Sequence, residues 1–251
     1  MGEVTAGTTA PSARERLLQA ALDLLVHQGR EAVSTRAVSA AAGLQPPTIY
    51  RLFGDKEGLL DAVAGYGFRN YLADKHTLAE TDDPVDDLRR IWDLHVEFGL
   101  STPALYTLMY GEARHGTSPA GREAYDLLRR RIARVGAAGR LRMSVDRAAE
   151  LMHANGVGVV LLLIATPPAE RDPGLPGAAR EHVIRSITTD AGPEAGGDHG
   201  PAPGAPAAVA VRAVALGETL RDTETSALTA AERAMLTEWL DRLADAADSG
   251  V

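Results

Sequence analysis

The chain has 251 residues, of which 45% are hydrophobic and 24% are charged, and its formal net charge is -8. These proportions are typical of a globular protein that buries a core, and they argue against a disordered chain. The sequence contains no cysteine, so disulfide bonds, thiolate zinc sites and cysteine nucleophiles are excluded. The absence of cysteine also fits a protein of the reducing cytoplasm.

The N-terminal residues 1–12 lack the basic start and the apolar stretch of a secretory signal, so we interpret them as a disordered arm. The longest apolar run, between Glu150 and Thr166, is shorter than the ~20 residues that span a bilayer. It also contains His153 and Asn155. We therefore expect a buried helix there, no membrane segment, and a cytoplasmic protein.

The first predicted helix runs from Ala13 to His27, where leucine and alanine recur at helical spacing, and Gly29 ends it. Ser34 is the predicted N-cap of a second helix, because its hydroxyl can accept a hydrogen bond from the first turn. The second helix extends to Ala42.

Gly43 supplies a tight turn before a third, short helix from Pro46 to Phe53, since proline is tolerated at the first helical position. Asp55 is the predicted cap of a fourth helix that continues toward Tyr71. We expect these helices, residues 13–76, to form one small domain.

Residues 84–251 are predicted to form a second, larger helical domain. Helical spacing between glycine, proline and serine signals predicts the helices Val85–Leu100, Pro103–Glu112, Ala120–Val135, Val145–Ala165 and Leu175–Ile187. Residues 190–206 are rich in glycine, proline and alanine, and we interpret them as a flexible linker. Helix resumes near Ala207, and Thr229 with Glu232 predicts a capping box before an amphipathic last helix. Since no segment alternates like a strand, the predicted fold is all-α.

The segment from Thr35 to Phe53 has the pattern of a helix-turn-helix. Two helices that cross near a right angle need a small residue where their backbones approach, and Ser39 stands there while Gly43 makes the turn. Outward positions near the start of the second helix of such a motif meet the edges of DNA bases. The candidate contact residues there are Pro47, Thr48, Tyr50 and Arg51.

Residue type leaves the role of each contact open. Arg51 could bridge a guanine edge or grip a phosphate, Thr48 could meet a phosphate or a thymine methyl, and the hydroxyl of Tyr50 suits a phosphate oxygen. Helix N-termini point N–H groups at anions, so the helix starts at Thr35 and Lys56 are candidate phosphate sites, helped by Arg36 and Lys56 themselves. A tight helical hairpin that does not bind DNA remains the alternative.

The acidic balance of the chain, with a pI near 5.4, is unusual for a nucleic-acid binder. Between Ala13 and Asp61, however, six basic residues balance six acidic residues. The acidity therefore lies outside this segment, where it would suppress non-specific DNA affinity and leave binding to a local face.

Several short motifs in and around this segment stand in the order found in a known family. They are Ala20-Ala21-Leu22, Leu24, Ser34-Thr35-Arg36, Ala41-Ala42-Gly43-Leu44, Thr48-Ile49-Tyr50 with Phe53, and Asp55-Lys56-Glu57 with Leu59-Leu60. In these residues the chain resembles the tetracycline-repressor (TetR) family of bacterial transcriptional regulators. The resemblance covers residues 13–63, about a fifth of the chain.

The resemblance implies a small helix-turn-helix domain and a larger C-terminal helical domain that dimerises and binds an effector. It implies that Val38, Ile49 and Phe53 belong to the core. The residues that it implies contact the DNA are Thr35, Arg36, Pro47, Thr48, Tyr50, Arg51 and Lys56. Two positions depart from the family pattern: Leu52 stands where many members have histidine, and Pro46 replaces a polar residue. The implied function is that of a homodimeric regulator, in particular a repressor released from double-stranded operator DNA by a small apolar molecule.

Aromatic residues cluster in the first third of the larger domain, which holds five of the eleven in the chain. Apolar pockets with a few polar anchors have such a composition. The candidate effector residues are Trp92, His95, Tyr106, Met109 and Tyr110, with His153 and Asn155 as polar anchors. The alternative is that they are ordinary core and surface residues.

Gly156 and Gly158 give the helix Val145–Ala165 a smooth apolar face, which suits either a dimer interface or burial within one subunit. The sequence contains no nucleophile elbow, P-loop, glycine-rich dinucleotide turn or His-Glu-x-x-His motif. We therefore predict no catalytic residue, metal site or cofactor. The alternatives are a regulator without a small-molecule effector, a helical enzyme and a protein-binding adaptor.

Overall fold

The computed structural model of the chain describes residues 11–73, 79–111, 118–189, 205–223 and 227–246. Within these ranges it has eleven α-helices and no strand, with one isolated bridge between Leu141 and Thr188. The predicted all-α class is confirmed. The helices are α1 (Ala13–Gln28), α2 (Thr35–Ala42), α3 (Pro47–Phe53), α4 (Lys56–Ala73), α5 (Pro84–Ser101), α6 (Pro103–Tyr110), α7 (Pro119–Ala137), α8 (Val145–Ala165), α9 (Leu175–Ile187), α10 (Ala205–Asp222) and α11 (Ala230–Ala246).

Side-chain caps begin two of the N-terminal helices, as the sequence predicts. The hydroxyl of Ser34 accepts a hydrogen bond from the backbone N–H of Ala37 at 3.1 Å, at the start of α2. The carboxylate of Asp55 accepts one from the N–H of Gly58 at 2.7 Å, at the start of α4. Such caps satisfy N–H groups that have no partner inside the helix.

Two capping boxes begin other helices. The predicted box at the start of α11 is present, with the N–H of Thr229 donating to Glu232 at 2.8 Å and the N–H of Glu232 donating back to the threonine hydroxyl at 3.3 Å. A second box joins Ser12 and Glu15 at the start of α1, which the sequence analysis did not identify. The remaining residues of the predicted arm, 1–10, and residues 190–204 of the predicted linker lie outside the described residues.

The chain divides into two compact units. The first consists of residues 1–75 and 101–122, and the second of residues 76–100 and 123–251. In the first unit α6 packs against α1 and α4. Gly67 of α4 allows this approach, because a Cβ atom there would lie 2.6 Å from the Leu105 side chain of α6. The domain boundary between residues 76 and 84 stays a prediction, and nothing in the sequence indicated the grouping of α6.

Within the second unit α8 buries one face and exposes the other. Met152, Gly156 and Val160 are buried, whereas Leu151 and Leu162 are 38% and 56% exposed. By length and composition α8 could cross a membrane, since an 18-residue window has a mean hydropathy of 1.7, but core helices of soluble proteins pass the same test. One third of that window is buried, so the expected buried helix is covered only in part.

Candidate DNA-binding and effector sites

The helix-turn-helix consists of α2, a glycine turn and α3. Gly43 has φ 63° and ψ 38°, a left-handed conformation that favours glycine. In the turn, the N–H of Leu44 donates to the carbonyl oxygen of Ser39 at 2.9 Å. From α1, Arg16 donates to the carbonyl oxygen of Ala42, the last residue of α2. These hydrogen bonds give partners to carbonyl oxygens near the end of α2, and they hold the turn that leads into α3.

The inner side of the motif is small and apolar. Val38 and Ile49 are fully buried, while Leu52 and Phe53 are half-buried. Ser39 is buried as well, and its hydroxyl has no hydrogen-bond partner among the described residues. Ser39 therefore contributes its small size rather than a hydrogen bond.

The seven candidate DNA contacts lie on α2, α3 and the start of α4. Five of them are exposed, namely Arg36, Pro47, Tyr50, Arg51 and Lys56. The other two, Thr35 and Thr48, are half-buried. Tyr50 keeps 54% of its surface exposed, which leaves a large aromatic ring on the outer face of α3.

Three of the exposed candidates are cations. No described residue forms a salt bridge or a side-chain hydrogen bond with Arg36, Arg51 or Lys56. Glu57, the acid next to Lys56, is instead 3.7 Å from Arg30. Arg36, Arg51 and Lys56 thus carry positive charges that are not neutralised within the described chain, and such charges attract a phosphate backbone.

Three of the candidate effector residues belong to α6, in the first unit. Tyr106, Met109 and Tyr110 lie close together along this helix, and the two tyrosine ring centres are 4.7 Å apart. Burial raises the pKa of both tyrosines far above their ordinary range, and the neighbouring Tyr110 adds to the rise at Tyr106. Both hydroxyls are therefore uncharged hydrogen-bonding groups.

The other four candidate effector residues lie on α5 and α8, in the second unit. The indole N–H of Trp92 donates to the carbonyl oxygen of Pro176 at 3.1 Å. Gly156 of α8 packs against α5. A Cβ atom at this glycine would lie 3.4 Å from the ring of His95 and 3.6 Å from that of Trp92. The rings of His153 and Tyr125 contact each other edge to face, with their centres 5.3 Å apart.

Both histidines of this group favour the neutral form. Burial lowers the pKa of His95 to about 4, repulsion from His153 adds to the fall, and a hydrogen bond with the backbone of Gly156 acts against it. Burial also lowers the pKa of His153. Asn155, the remaining candidate, is exposed, and its amide donates to the carbonyl oxygen of Leu151 at 2.8 Å. Its role as a polar anchor stays a prediction.

A groove of about 560 Å³ lies in the first unit, along α1 and the end of α2. None of the seven candidate effector residues lines it. Its polar groups bond to one another: the Gln19 amide donates to Asp23 at 2.9 Å, and the Tyr66 hydroxyl donates to Gln19 at 3.0 Å. This arrangement offers no argument for a ligand there.

Two arginines of α1 contact the motif in ways that the sequence did not predict. Arg16 holds the end of α2, and Arg14 lies over the ring of Phe53 in α3. Both contacts join residues more than 25 positions apart along the chain. No local pattern predicts such contacts, since they depend on how α1 packs on the motif.

Comparison with known proteins adds a family match. Residues 17–63 match the family model described as bacterial regulatory proteins, tetR family. No curated protein matches the chain. The match falls on α1 to α4, so the resemblance drawn from the sequence motifs is confirmed.

Solved structures share the fold over about 70% or more of the chain. A protein with unknown function from Rhodococcus sp. RHA1 is 25% identical, with a TM-score of 0.57, over 74% of this chain and 100% of that one. SmeT, the repressor of the Stenotrophomonas maltophilia multidrug efflux pump SmeDEF, is 20% identical, with a TM-score of 0.54, over 76% and 98%. A TetR family transcription regulator from Marinobacter aquaeolei VT8 is 20% identical, with a TM-score of 0.51, over 70% and 95%.

Proposed function

We propose that the chain is a transcriptional regulator that binds double-stranded operator DNA, because residues 17–63 match the family model described as bacterial regulatory proteins, tetR family. The observation that carries this proposal is the outer face of the helix-turn-helix. Arg36, Arg51 and Lys56 stand there without a protein partner among the described residues. Phosphate groups of the DNA would supply the negative charges that pair with them. In this proposal the protein acts in the cytoplasm and needs neither a membrane nor a cofactor.

In this proposal α3 enters the major groove with its N-terminal residues toward the base edges. Pro47, Thr48, Tyr50 and Arg51 then face the bases and the adjoining backbone. Thr35, Arg36 and Lys56 flank α3 and hold phosphates on either side, where the starts of α2 and α4 add backbone N–H groups.

Arg51→Ala is the variant that tests base reading. We expect it to weaken binding to a selected operator about 5- to 150-fold, or ~1 to 3 kcal/mol, and to relax the preference at one base pair. The measurement is fluorescence anisotropy with that duplex and with its single-base variants. Arg242→Ala is the matched control, because Arg242 is 66% exposed in α11 and forms a salt bridge with the exposed Glu238. A uniform loss on every duplex would instead place Arg51 on a phosphate.

We propose that the regulator is a homodimer, since helix-turn-helix dimers read two half-sites. The exposed face of α8 is a suitable interface. Leu151, Ala154, Gly158 and Leu162 recur there every three or four residues and are all exposed. No charged residue occurs between Leu151 and Ala165. An uncharged apolar face of this kind is typical of an association surface.

Gly158→Arg tests this interface. No described atom lies within 4 Å of a Cβ atom built at Gly158, so a larger side chain there leaves the fold of the subunit intact. We expect Gly158→Arg to be monomeric by light scattering at micromolar concentration, with a thermal midpoint measured in parallel. Gly158→Ala should remain dimeric, because a methyl group adds little bulk. A dimeric Gly158→Arg would exclude this face.

We further propose that the protein is a repressor that a small, apolar effector releases from DNA. The support for repression is the shared fold with SmeT, which is a repressor. The support for an effector is the buried indole of Trp92 and the neutral His95 and His153 on α5 and α8 of the second unit. An effector acts only through a difference in its affinity for the bound and released states.

A thermal-shift screen of uncharged apolar compounds tests the effector proposal. Compounds that raise the thermal midpoint are then assayed for release of the selected operator. We expect Trp92→Ala to reduce this release. If the variant left the response to every active compound unchanged, Trp92 would not belong to the effector site.

A further inference from the structure

Arg14 lies outside the helix-turn-helix, in the first turn of α1, yet its guanidinium contacts the end of α3. The Cζ atom of Arg14 is 5.4 Å from the centre of the Phe53 ring, and Phe53 is the last residue of α3. A cation within about 6 Å of an aromatic face is attracted by the negative charge on that face. Phe53 therefore holds the guanidinium beside α3, which is the recognition helix of the motif.

This contact leaves the hydrogen-bonding edge of the guanidinium open. Attraction to an aromatic ring does not occupy the five N–H donors of the guanidinium. Arg14 is exposed, and no described residue forms a salt bridge or a hydrogen bond with it. The adjacent acid, Glu15, is engaged elsewhere, since its carboxylate accepts the backbone N–H of Ser12 at 2.7 Å.

From this geometry we infer that Arg14 binds a DNA phosphate at the C-terminal end of the recognition helix. The inference rests on the proposed function. Because the N-terminal residues of α3 would meet the base edges, the end of α3 at Phe53 faces the backbone that borders the groove. A planar guanidinium held at that place offers a fork of donors to phosphate oxygens. Phe53 acts through Arg14 and is a positioning residue.

The test uses the full chain and a duplex selected from a random library, with binding measured between about 50 and 300 mM KCl. We expect Arg14→Gln to weaken binding about tenfold and to lower the slope of log Kd against log[KCl] by about 0.9 for each chain bound. The ranking of single-base variants of the duplex should not change, because a phosphate contact carries no sequence information. Arg242→Gln removes the same charge from an exposed pair in α11 and should change nothing.

Two further variants separate the contact from its support. Arg14→Lys keeps the charge but loses the planar fork, so its affinity should fall between those of the wild type and Arg14→Gln. Phe53→Leu should weaken binding in the wild-type background but add no further loss in the Arg14→Gln background, because the two residues act together. Additive losses would contradict the positioning role of Phe53.

The possible outcomes distinguish this inference from the proposed function. An unchanged affinity and salt slope for Arg14→Gln, with the wild type still binding its duplex, would overturn the inference alone. A changed preference at one base pair would overturn the phosphate assignment. Failure of the wild type to bind any selected duplex would remove the proposed function and the inference with it.

Discussion

Replacement of Asp87 by alanine is expected to lower the free energy of unfolding by about 3 to 5 kcal/mol. The carboxylate is buried, with 2% of its side chain exposed, and it pairs with Arg90 and Arg134. A third guanidinium, that of Arg131, lies 3.9 Å away and is itself 8% exposed. The hydroxyl and the N–H of Thr81 also donate to Asp87, at 2.7 and 3.1 Å. Alanine would leave these donors and charges without their common acceptor.

This cluster fixes residues 79–83, just before α5, to α7 within the second unit, since Arg134 also donates to the carbonyl oxygen of Thr81 at 2.9 Å. Burial by itself would raise the pKa of Asp87. Hydrogen bonds from Thr81 and Arg134 and the attraction of Arg90 outweigh it and hold the pKa below its ordinary value. The carboxylate is therefore charged at neutral pH. It contributes stability above its ordinary pKa of ~3.9, and this contribution is lost at lower pH.

Urea unfolding at pH 7 measures the effect of Asp87→Ala. Asp86→Ala is the matched control, because it removes the same residue type from the adjacent position of α5. Asp86 is 50% exposed and has a salt bridge to Arg90 at 3.4 Å. An exposed pair of this kind contributes less than about 1 kcal/mol. Similar small losses for both variants would show that the buried cluster does not stabilise the fold.

Acidification from pH 7 to pH 4 is expected to reduce the stability of the protein by about 3 kcal/mol through His95 alone. The unfolded chain binds a proton at this side chain near pH 6.5, whereas burial delays protonation in the folded chain to about pH 4. Below pH 6.5 the proton thus binds the unfolded state first. The loss begins there, grows as the pH falls, and stops near pH 4, where the folded state is protonated too.

Thermal unfolding of the wild type and of His95→Gln between pH 7 and pH 4 tests this prediction. The variant lacks the titrating group, so its thermal midpoint should fall less over this interval. His153→Gln should remove a smaller part of the fall, because burial lowers the pKa of His153 as well. Carboxylates with lowered pKa values, such as Glu181, lose their contribution mainly below pH 4.5. Parallel curves for the wild type and His95→Gln would contradict the neutral state of His95.

The features predicted from the sequence are those that depend on neighbouring residues. Ser34, Gly43 and Asp55 act within a few residues of their own position, by capping a helix or by adopting a left-handed turn. The helix-turn-helix and its outer face could therefore be described before the structure was known. The predicted helix bounds also agree with the structure to within a residue or two.

The features that were not predicted depend on contacts between distant parts of the chain. Asp245 of α11 accepts the N–H and the hydroxyl of Ser144 at the start of α8, both at 3.0 Å. Nothing near either residue indicates this pair. The candidate effector residues were likewise predicted only in part. Composition indicated a cluster of aromatic residues, but it could not predict that Tyr106 and Trp92 belong to different units.

If the outer face of the helix-turn-helix reads DNA, the full chain should select specific duplexes from a random library. We expect enrichment of a two-fold-related site whose half-sites are about 34 to 36 Å apart, or a multiple of that. The affinity for this site should exceed that for unrelated DNA by about 10³-fold or more. A triple variant, Pro47→Ala with Tyr50→Ala and Arg51→Ala, should enrich no site. Absence of enrichment by the wild type, or the same enriched site with the triple variant, would contradict the claim.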